Sequence, residues 1–167
     1  MADAPTPIDQ TLLEGLSAAA AERPRRRLNH NFHSPEEETA NRLLNAVEPG
    51  SYIQPHRHLE PSKNETMVVV SGRFGFVFFD DEGQVVQTLT AGPGEATVGV
   101  DIPHGAFHSV VALQPGSVFF EAKAGPYRPL IADEKAPWAP AEGEDGAEDY
   151  RAFLESRFSA EGSTLNS

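Results

Sequence analysis

The sequence predicts a mainly β, single-domain protein: a small antiparallel barrel or jelly roll with short helices at both ends. Three observations predict it. From about residue 41 to 123 the chain is a series of short Val-, Phe- and Thr-rich runs separated by the turn sequences EPGS, SGRFG, DDEG, AGPG and QPGS, the spacing of a β-sandwich or barrel. Apolar residues at helical spacing mark the two ends of the chain. A length of 167 residues suffices for one core and not for two ordinary ones.

The elements follow in order. Thr6, Pro7 and Asp9 read as an N-cap, an N1 proline and an acidic N3, and Leu12, Leu13, Leu16 and Ala20 continue at helical spacing, so a helix is expected from about 7 to 22, ending before Pro24. Strands are expected near 41–48, 51–55, 65–70, 74–80, 84–90, 95–100, 106–113 and 117–123. The first of these competes with a helix. Ser34, Pro35 and Glu37 form a capping box, and Ala40, Leu43, Leu44 and Val47 recur at i, i+3, i+4, i+7, a helical period. A short turn followed by a strand is preferred, because Pro49-Gly50 leads on as a hairpin would. The segment GPYRPLIADEKAPWAPAEGED is too rich in proline to make a regular ladder and is expected to run over the barrel surface. Tyr150, Phe153, Leu154, Arg157 and Phe158 then mark a final amphipathic helix, and the last residues look frayed. The organisation expected is an N-terminal helix and arm packed on the barrel (1–40), the barrel (41–124), and a proline-rich wrap with a C-terminal helix (125–167).

Composition narrows the partners. A formal net charge of −12 argues against a polyanion, because neutralising phosphates needs a Lys/Arg surface; no nucleic-acid role is expected, and ERPRRR at 22–27 reads as a solvated basic turn. No apolar stretch approaches the roughly 20 residues of a membrane span, and MADAPTPIDQ has neither a basic n-region nor an apolar h-region. The expectation is no membrane role and a cytoplasmic location. With no cysteine in the chain, any metal must be held by nitrogen and oxygen.

Such a site is legible in PHRHLEPSKNETMVVVSGRFG, residues 55–75. Side chains alternate faces along a strand, so His56 and His58 point one way and Arg57 the other. Glu65 opens the next apolar run, and strand pairing can bring its carboxylate to the same ion. DIPHGAFHS at 101–109 adds His104 and His108 as candidate fourth donors.

These residues resemble the cupin superfamily. Its first motif, G-x5-H-x-H-x(3,4)-E-x6-G, is similar to Gly50, His56, His58, Glu65 and Gly72, with the first and last spacings kept; its second, P-x-G-x-x-H, matches Pro103, Gly105 and His108. The resemblance implies His56, His58, Glu65 and His108 as ligands of one divalent transition metal (Fe, Mn, Ni, Co or Zn), with His104 on the turn. Six residues, LEPSKN, separate His58 from Glu65 where the pattern has three or four, and Ala112 stands where the second motif usually has Asn. PHRH, ETMVVVSGRFG, FDDEG, IPHGAFHSVVALQPGSV, EAKAGPY and KAPWAPAEG, with RRRLNHNFH upstream, further resemble the WbuC-type cupin metalloproteins from about Arg25 to Gly143.

What the resemblance implies is a metalloenzyme acting on a small polar substrate such as a sugar derivative of surface-polysaccharide metabolism, by isomerase- or epimerase-like chemistry. A non-catalytic metal-dependent binding or sensing module and an iron-dependent dioxygenase are the alternatives. Lys63, in the long loop, and Arg57 are the expected contacts to an anionic group of the ligand. His30 and His33 read as structural or surface groups, in a segment rich enough in hydrogen-bonding side chains to line the barrel mouth. Tyr127 and Trp138 read as packing anchors. Phe74, Phe76 and Phe78 on one face of a strand, with Val77 and Phe79 on the other, imply burial on both sides, and a homodimer is expected to supply the second cover.

Overall fold

Period-two apolar alternation in the middle of the chain becomes two facing antiparallel sheets in the computed structural model, which describes residues 4–33 and 38–159. Among the described residues eight strands are formed: β1 (Arg27–Asn31), β2 (Ala40–Val47), β3 (Glu65–Ser71), β4 (Phe74–Phe79), β5 (Val85–Ala91), β6 (Gly99–Ile102), β7 (Phe107–Ala112) and β8 (Val118–Ala124). One sheet has the order β1-β2-β8-β3-β6 and the other β5-β4-β7. Helix α1 (Gln10–Ala21) precedes them and α2 (Ala147–Ser156) follows. This is the mainly β, single-domain architecture of antiparallel sheets with a helix towards each end that the sequence predicts. No helix among the described residues is long and apolar enough to cross a membrane.

The stretch with helical periodicity is a strand from Ala40 to Val47. Tertiary pairing overrides the local signal: β2 is bonded on one side to β1 and on the other to β8, and Leu44 and Ala46 are buried on its outer face under Leu13, Leu16 and Ala20 of α1. Ser34, Pro35 and Glu37, the proposed capping box, lie outside the described residues, as does the end of the chain after Ser159. Helix α1 starts later than expected, with the Asp9 side chain as its N-cap accepting from Leu12 N at 3.0 Å. The arm does more than pack on the barrel: RLNHN forms edge strand β1, which polar alternation did not advertise.

Two expected strands differ. Residues 51–55 are extended but join no ladder; Pro55 has no N–H to give, and the segment is held instead by single contacts such as Ser109 Oγ donating to Ile53 O at 2.7 Å. The strand expected at 95–100 starts only at Gly99, because the AGPGE turn keeps its own bonds, Glu95 N to Gly92 O at 3.1 Å and Gly92 N to Thr97 O at 3.0 Å.

Between the sheets, inward positions grade from apolar to polar along each strand. Val69, Met67, Glu65 on β3, Ala112, Val110, His108 on β7 and Phe119, Glu121, Lys123 on β8 run in the same sense, since Val69 pairs with Phe119, Met67 with Glu121 and Glu65 with Lys123. One end of the barrel is therefore a dry core around Phe74, Phe76 and Phe119, and the other end is a polar chamber. Gly72 closes the dry end at φ +72°, and a Cβ there would stand 2.5 Å from Ser117 Cα, so the tight approach of β3 to β8 requires glycine.

The outer face of β4 is covered by the chain itself. Val77 and Phe79, with Val111 of β7, pack against Ala136 and Ala139 of the proline-rich wrap, Leu154 of α2 and Phe158 just beyond it. Gly75 leaves the space that Phe158 fills, for a Cβ would lie 2.4 Å from its ring. The doubly apolar strand thus gives no reason to invoke a second copy. Trp138 is a packing anchor, 4.8 Å from Phe79 and 5.7 Å from Phe107 between ring centroids, whereas Tyr127 is exposed.

Candidate metal centre

The histidine strand reaches the barrel through one bridge. His56 N donates to His108 O at 3.0 Å and His108 N to His56 O at 2.9 Å, so the two residues stand directly opposite on neighbouring extended segments and point their rings to the same side. The rings lie 4.6 Å apart between centroids, and His58, two residues on, is 5.5 Å from His56. Glu65 comes from the facing sheet, at the head of β3. Ligand atoms of His56, His58 and Glu65 lie within 4.8 Å of one another, and His108 Nε2 is 3.1 Å from Glu65 Oε2.

Local contacts aim the rings. His56 Nδ1 is 3.0 Å from Gln54 O and His108 Nδ1 is 2.9 Å from Ala106 O. A carbonyl only accepts, so each Nδ1 carries the proton and each Nε2 presents its lone pair to the common centre. Burial, then the nearby His108, pushes the His56 imidazole down to about 3, which keeps it neutral as a ligand must be. Burial would raise Glu65, but its charged surroundings, with the Lys123 ammonium on its Oε1, outweigh it and hold the carboxylate well below its usual range.

The four expected donors are therefore brought together. Glu65 Oε2 and His108 Nε2 are buried, 3.1 Å apart, and have no hydrogen-bond partner among the described residues. Two buried electron-pair atoms turned on one point are costly unless a cation satisfies both, and an N/O set of three imidazoles and a carboxylate fits a divalent transition metal. His104 is on the exposed turn, its Nδ1 3.2 Å from Asn64 Oδ1.

The expected ligand contacts are placed differently. Arg57 faces away from the chamber, bonded to Asp81 at 2.8 Å and stacked 4.2 Å over the Phe107 ring; strand alternation turns it outward, so it does not contact a ligand there. Lys63 borders the cavity but is buried, donating from Nζ to Ala124 O at 3.2 Å and Pro126 O at 3.0 Å. Its charge ties the long loop to the end of β8.

A cavity of about 800 Å³ opens above the cluster, bordered by His56, His58, Asn29, Asn31, His33, Asn41 and Asn45 among others, and a second of about 380 Å³ runs deeper toward Met67 and Phe119. The arm does line the mouth, as its polar side chains suggested. Sequence reasoning missed Glu121 and Lys123. Lys123 Nζ lies 2.5 Å from Glu65 Oε1, 2.9 Å from Glu121 Oε1 and 3.4 Å from His58 Nε2. Burial raises the Glu121 carboxyl, and the two carboxylates raise Lys123 against its own burial. The signal was the alternation in VFFEAKA, which puts two charges on the inward face of a core strand.

A family model described as a domain of unknown function, DUF6016, matches residues 8–91, half of the chain. No curated protein matches. Among solved structures, a cupin superfamily protein from Desulfitobacterium hafniense is similar at 11% identity over 65% of this chain and 86% of its own, with a TM-score of 0.49. KdgF from Halomonas sp. is similar at 24% identity over 64% and 84%, with a TM-score of 0.46. A conserved protein of unknown function from Streptococcus pyogenes is similar at 11% identity over 64% and 80%, with a TM-score of 0.47. The fold described above stands on strand order and register, independently of these likenesses.

Proposed function

The chain belongs to the DUF6016 family, and because that description assigns no activity, we propose from the site itself that the protein is a metal-dependent enzyme acting on a small polar substrate, with isomerase- or epimerase-like chemistry. His56, His58, Glu65 and His108 would hold one divalent ion, with iron, manganese, nickel, cobalt and zinc all suited to the donors. The observation that carries this reading is the pair of buried, unpartnered atoms Glu65 Oε2 and His108 Nε2.

A bound ion would supply Lewis-acid polarisation of a hydroxyl or carbonyl oxygen. The chain brings the rest. Lys123 Nζ and Glu121 Oε1, 2.9 Å apart and beside the donor cluster, place an ammonium and a carboxyl where a proton can be given and taken. The substrate class of a sugar derivative, and a place in surface-polysaccharide metabolism, come from the resemblance to WbuC-type cupins and are part of the proposal.

Elemental analysis of the purified protein tests it. The expected result is about one divalent transition metal per chain, lost in His56→Ala and in His108→Ala, because an incomplete N/O set binds weakly. His104→Ala should keep the metal. Full occupancy in both ligand variants would overturn the assignment.

A further inference from the structure

The charge around the cavity runs against that of the chain. Acids outnumber bases by 25 to 13 in the sequence, yet among the described residues four cations, Arg27, Lys63, Lys123 and Arg128, border the cavity against three carboxylates, Glu60, Glu121 and Glu134. All three carboxylates have partners. Glu121 is held by Lys123 and Asn45, Glu134 accepts from the backbone N–H groups of Leu59 and Ile131, and Glu60 accepts from Ser62 Oγ. Three of the cations are engaged as well: Arg27 with Glu142, Lys123 between Glu65 and Glu121, and Lys63 on the carbonyls of Ala124 and Pro126. Arg128 is the exception. Its Nη1 donates to Tyr127 O at 3.1 Å, the carbonyl of its own neighbour, and no carboxylate pairs with it among the described residues, so most of the guanidinium's N–H donors are left.

Two clasps fix where Arg128 stands. It lies on the irregular segment between β8 and the short helical turn Ala132–Glu134. Lys63 ties the start of that segment through Ala124 O and Pro126 O, and Glu134 ties its end by accepting from Ile131 N at 3.1 Å. The stretch between the ties runs along the cavity mouth, with Tyr127 and Arg128 exposed. A segment held at both ends loses less freedom when a ligand arrives. The guanidinium presents a planar fork that matches the oxygens of a carboxylate or a phosphate, and a cavity of about 800 Å³ is of the size that takes a small molecule. Asn29, Asn31 and Asn45 border the same space with amide donors and acceptors, which suit hydroxyl groups.

We infer that Arg128 binds an anionic group, a carboxylate or a phosphate, on a hydroxylated ligand, and that the cavity therefore selects an acidic or phosphorylated sugar derivative over its uncharged parent. The contact expected of Arg57 and Lys63 passes to a residue whose guanidinium is free to make it, while Lys63 holds the segment that carries it. This deepens the proposed function and rests on it only for the reacting end of the ligand, which the donor cluster would hold; the charge preference at the mouth is independent of the ion.

Calorimetric titration of the full chain with two matched sets tests the inference: D-glucose, D-glucuronate and glucose 6-phosphate, and D-galactose, D-galacturonate and galactose 1-phosphate. In at least one set a charged member should bind about tenfold more tightly than its uncharged parent, the gain from one charge-assisted hydrogen bond, and the two charged arms distinguish a carboxylate from a phosphate. Arg128→Gln should remove that advantage with metal content and unfolding temperature unchanged, and Arg128→Lys, which keeps the charge without the fork, should recover part of it. Added salt should weaken the charged probe against the wild type and leave Arg128→Gln unaffected. No binding of any charged probe, equal or weaker binding of the charged members in both sets, or an advantage that survives Arg128→Gln would overturn the inference. Elemental analysis of the same samples separates the two readings. An Arg128-dependent charge preference without metal sinks the metalloenzyme and leaves Arg128 in its role; metal without that preference does the reverse.

Discussion

Lys123 is the residue on which the electrostatics of the chamber turn. Its ammonium touches both Glu65 and Glu121, and it competes with any divalent ion for Glu65. Replacing it with methionine removes the competitor and strands two buried carboxylates. Lys123→Met should therefore bind manganese or zinc more tightly than the wild type in a calorimetric titration, while the metal-free variant loses about 3 kcal/mol in urea unfolding. Lys63 behaves otherwise. Because its Nζ satisfies the carbonyls of Ala124 and Pro126, Lys63→Ala should cost about 1–3 kcal/mol of stability and leave metal content unchanged; a variant as stable as the wild type that had lost its metal would contradict this placement.

At the scale of elements, helix α2 and the wrap do the covering that a partner chain was expected to do. Leu154 is 1% exposed on the outer face of the three-stranded sheet, so Leu154→Ala should destabilise by about 2–5 kcal/mol, read as a lowered urea midpoint. The wrap is pinned to the arm by Glu142, which accepts from Arg25 and Arg27. Partial burial raises this carboxyl, but the two guanidinium groups outweigh it and leave it lowered. A depressed carboxyl contributes stability that is complete above its unfolded value, about 4.3, and is lost as the pH falls through the folded one. Urea midpoints measured from neutral pH down into that window should fall less steeply in Glu142→Gln than in the wild type, by an amount kept small by solvent screening.

For the molecule as a whole, the donor cluster joins the two sheets, with Glu65 from one and His108 from the other. An ion bound there is linked to folding, since the unfolded chain has no assembled site. Saturating metal at a hundredfold excess over its dissociation constant should stabilise by about 2.7 kcal/mol. Thermal unfolding with added manganese or zinc should move upward, and a chelator should reverse it. An unfolding temperature indifferent to every divalent ion tried would show that the cluster does not bridge the sheets through a metal.

Much of this could be read from residue order alone, because the relevant signals are local. Turn sequences at regular spacing and period-two runs specify most of the strands, and alternation along a strand puts His56 and His58 on one side; that Glu65 and His108 complete a donor set is what the resemblance to cupins implied, since the residues alone left His104 and His108 both open. What only the tertiary structure decided depends on pairing between distant segments. Residues 40–47 carry a helical period and become a strand because β1 and β8 flank them. RLNHN has no apolar alternation and becomes a strand because the open edge of β2 accepts its backbone. Val77 and Phe79 look unpartnered in sequence and are covered by residues about 60 to 80 positions later in the chain, a cover whose source no local pattern identifies. Glu121 and Lys123 acquire their meaning in the same way. Register places Lys123 opposite Glu65 and Glu121 one inward step beyond, and a single-residue slip would have turned both charges out to solvent.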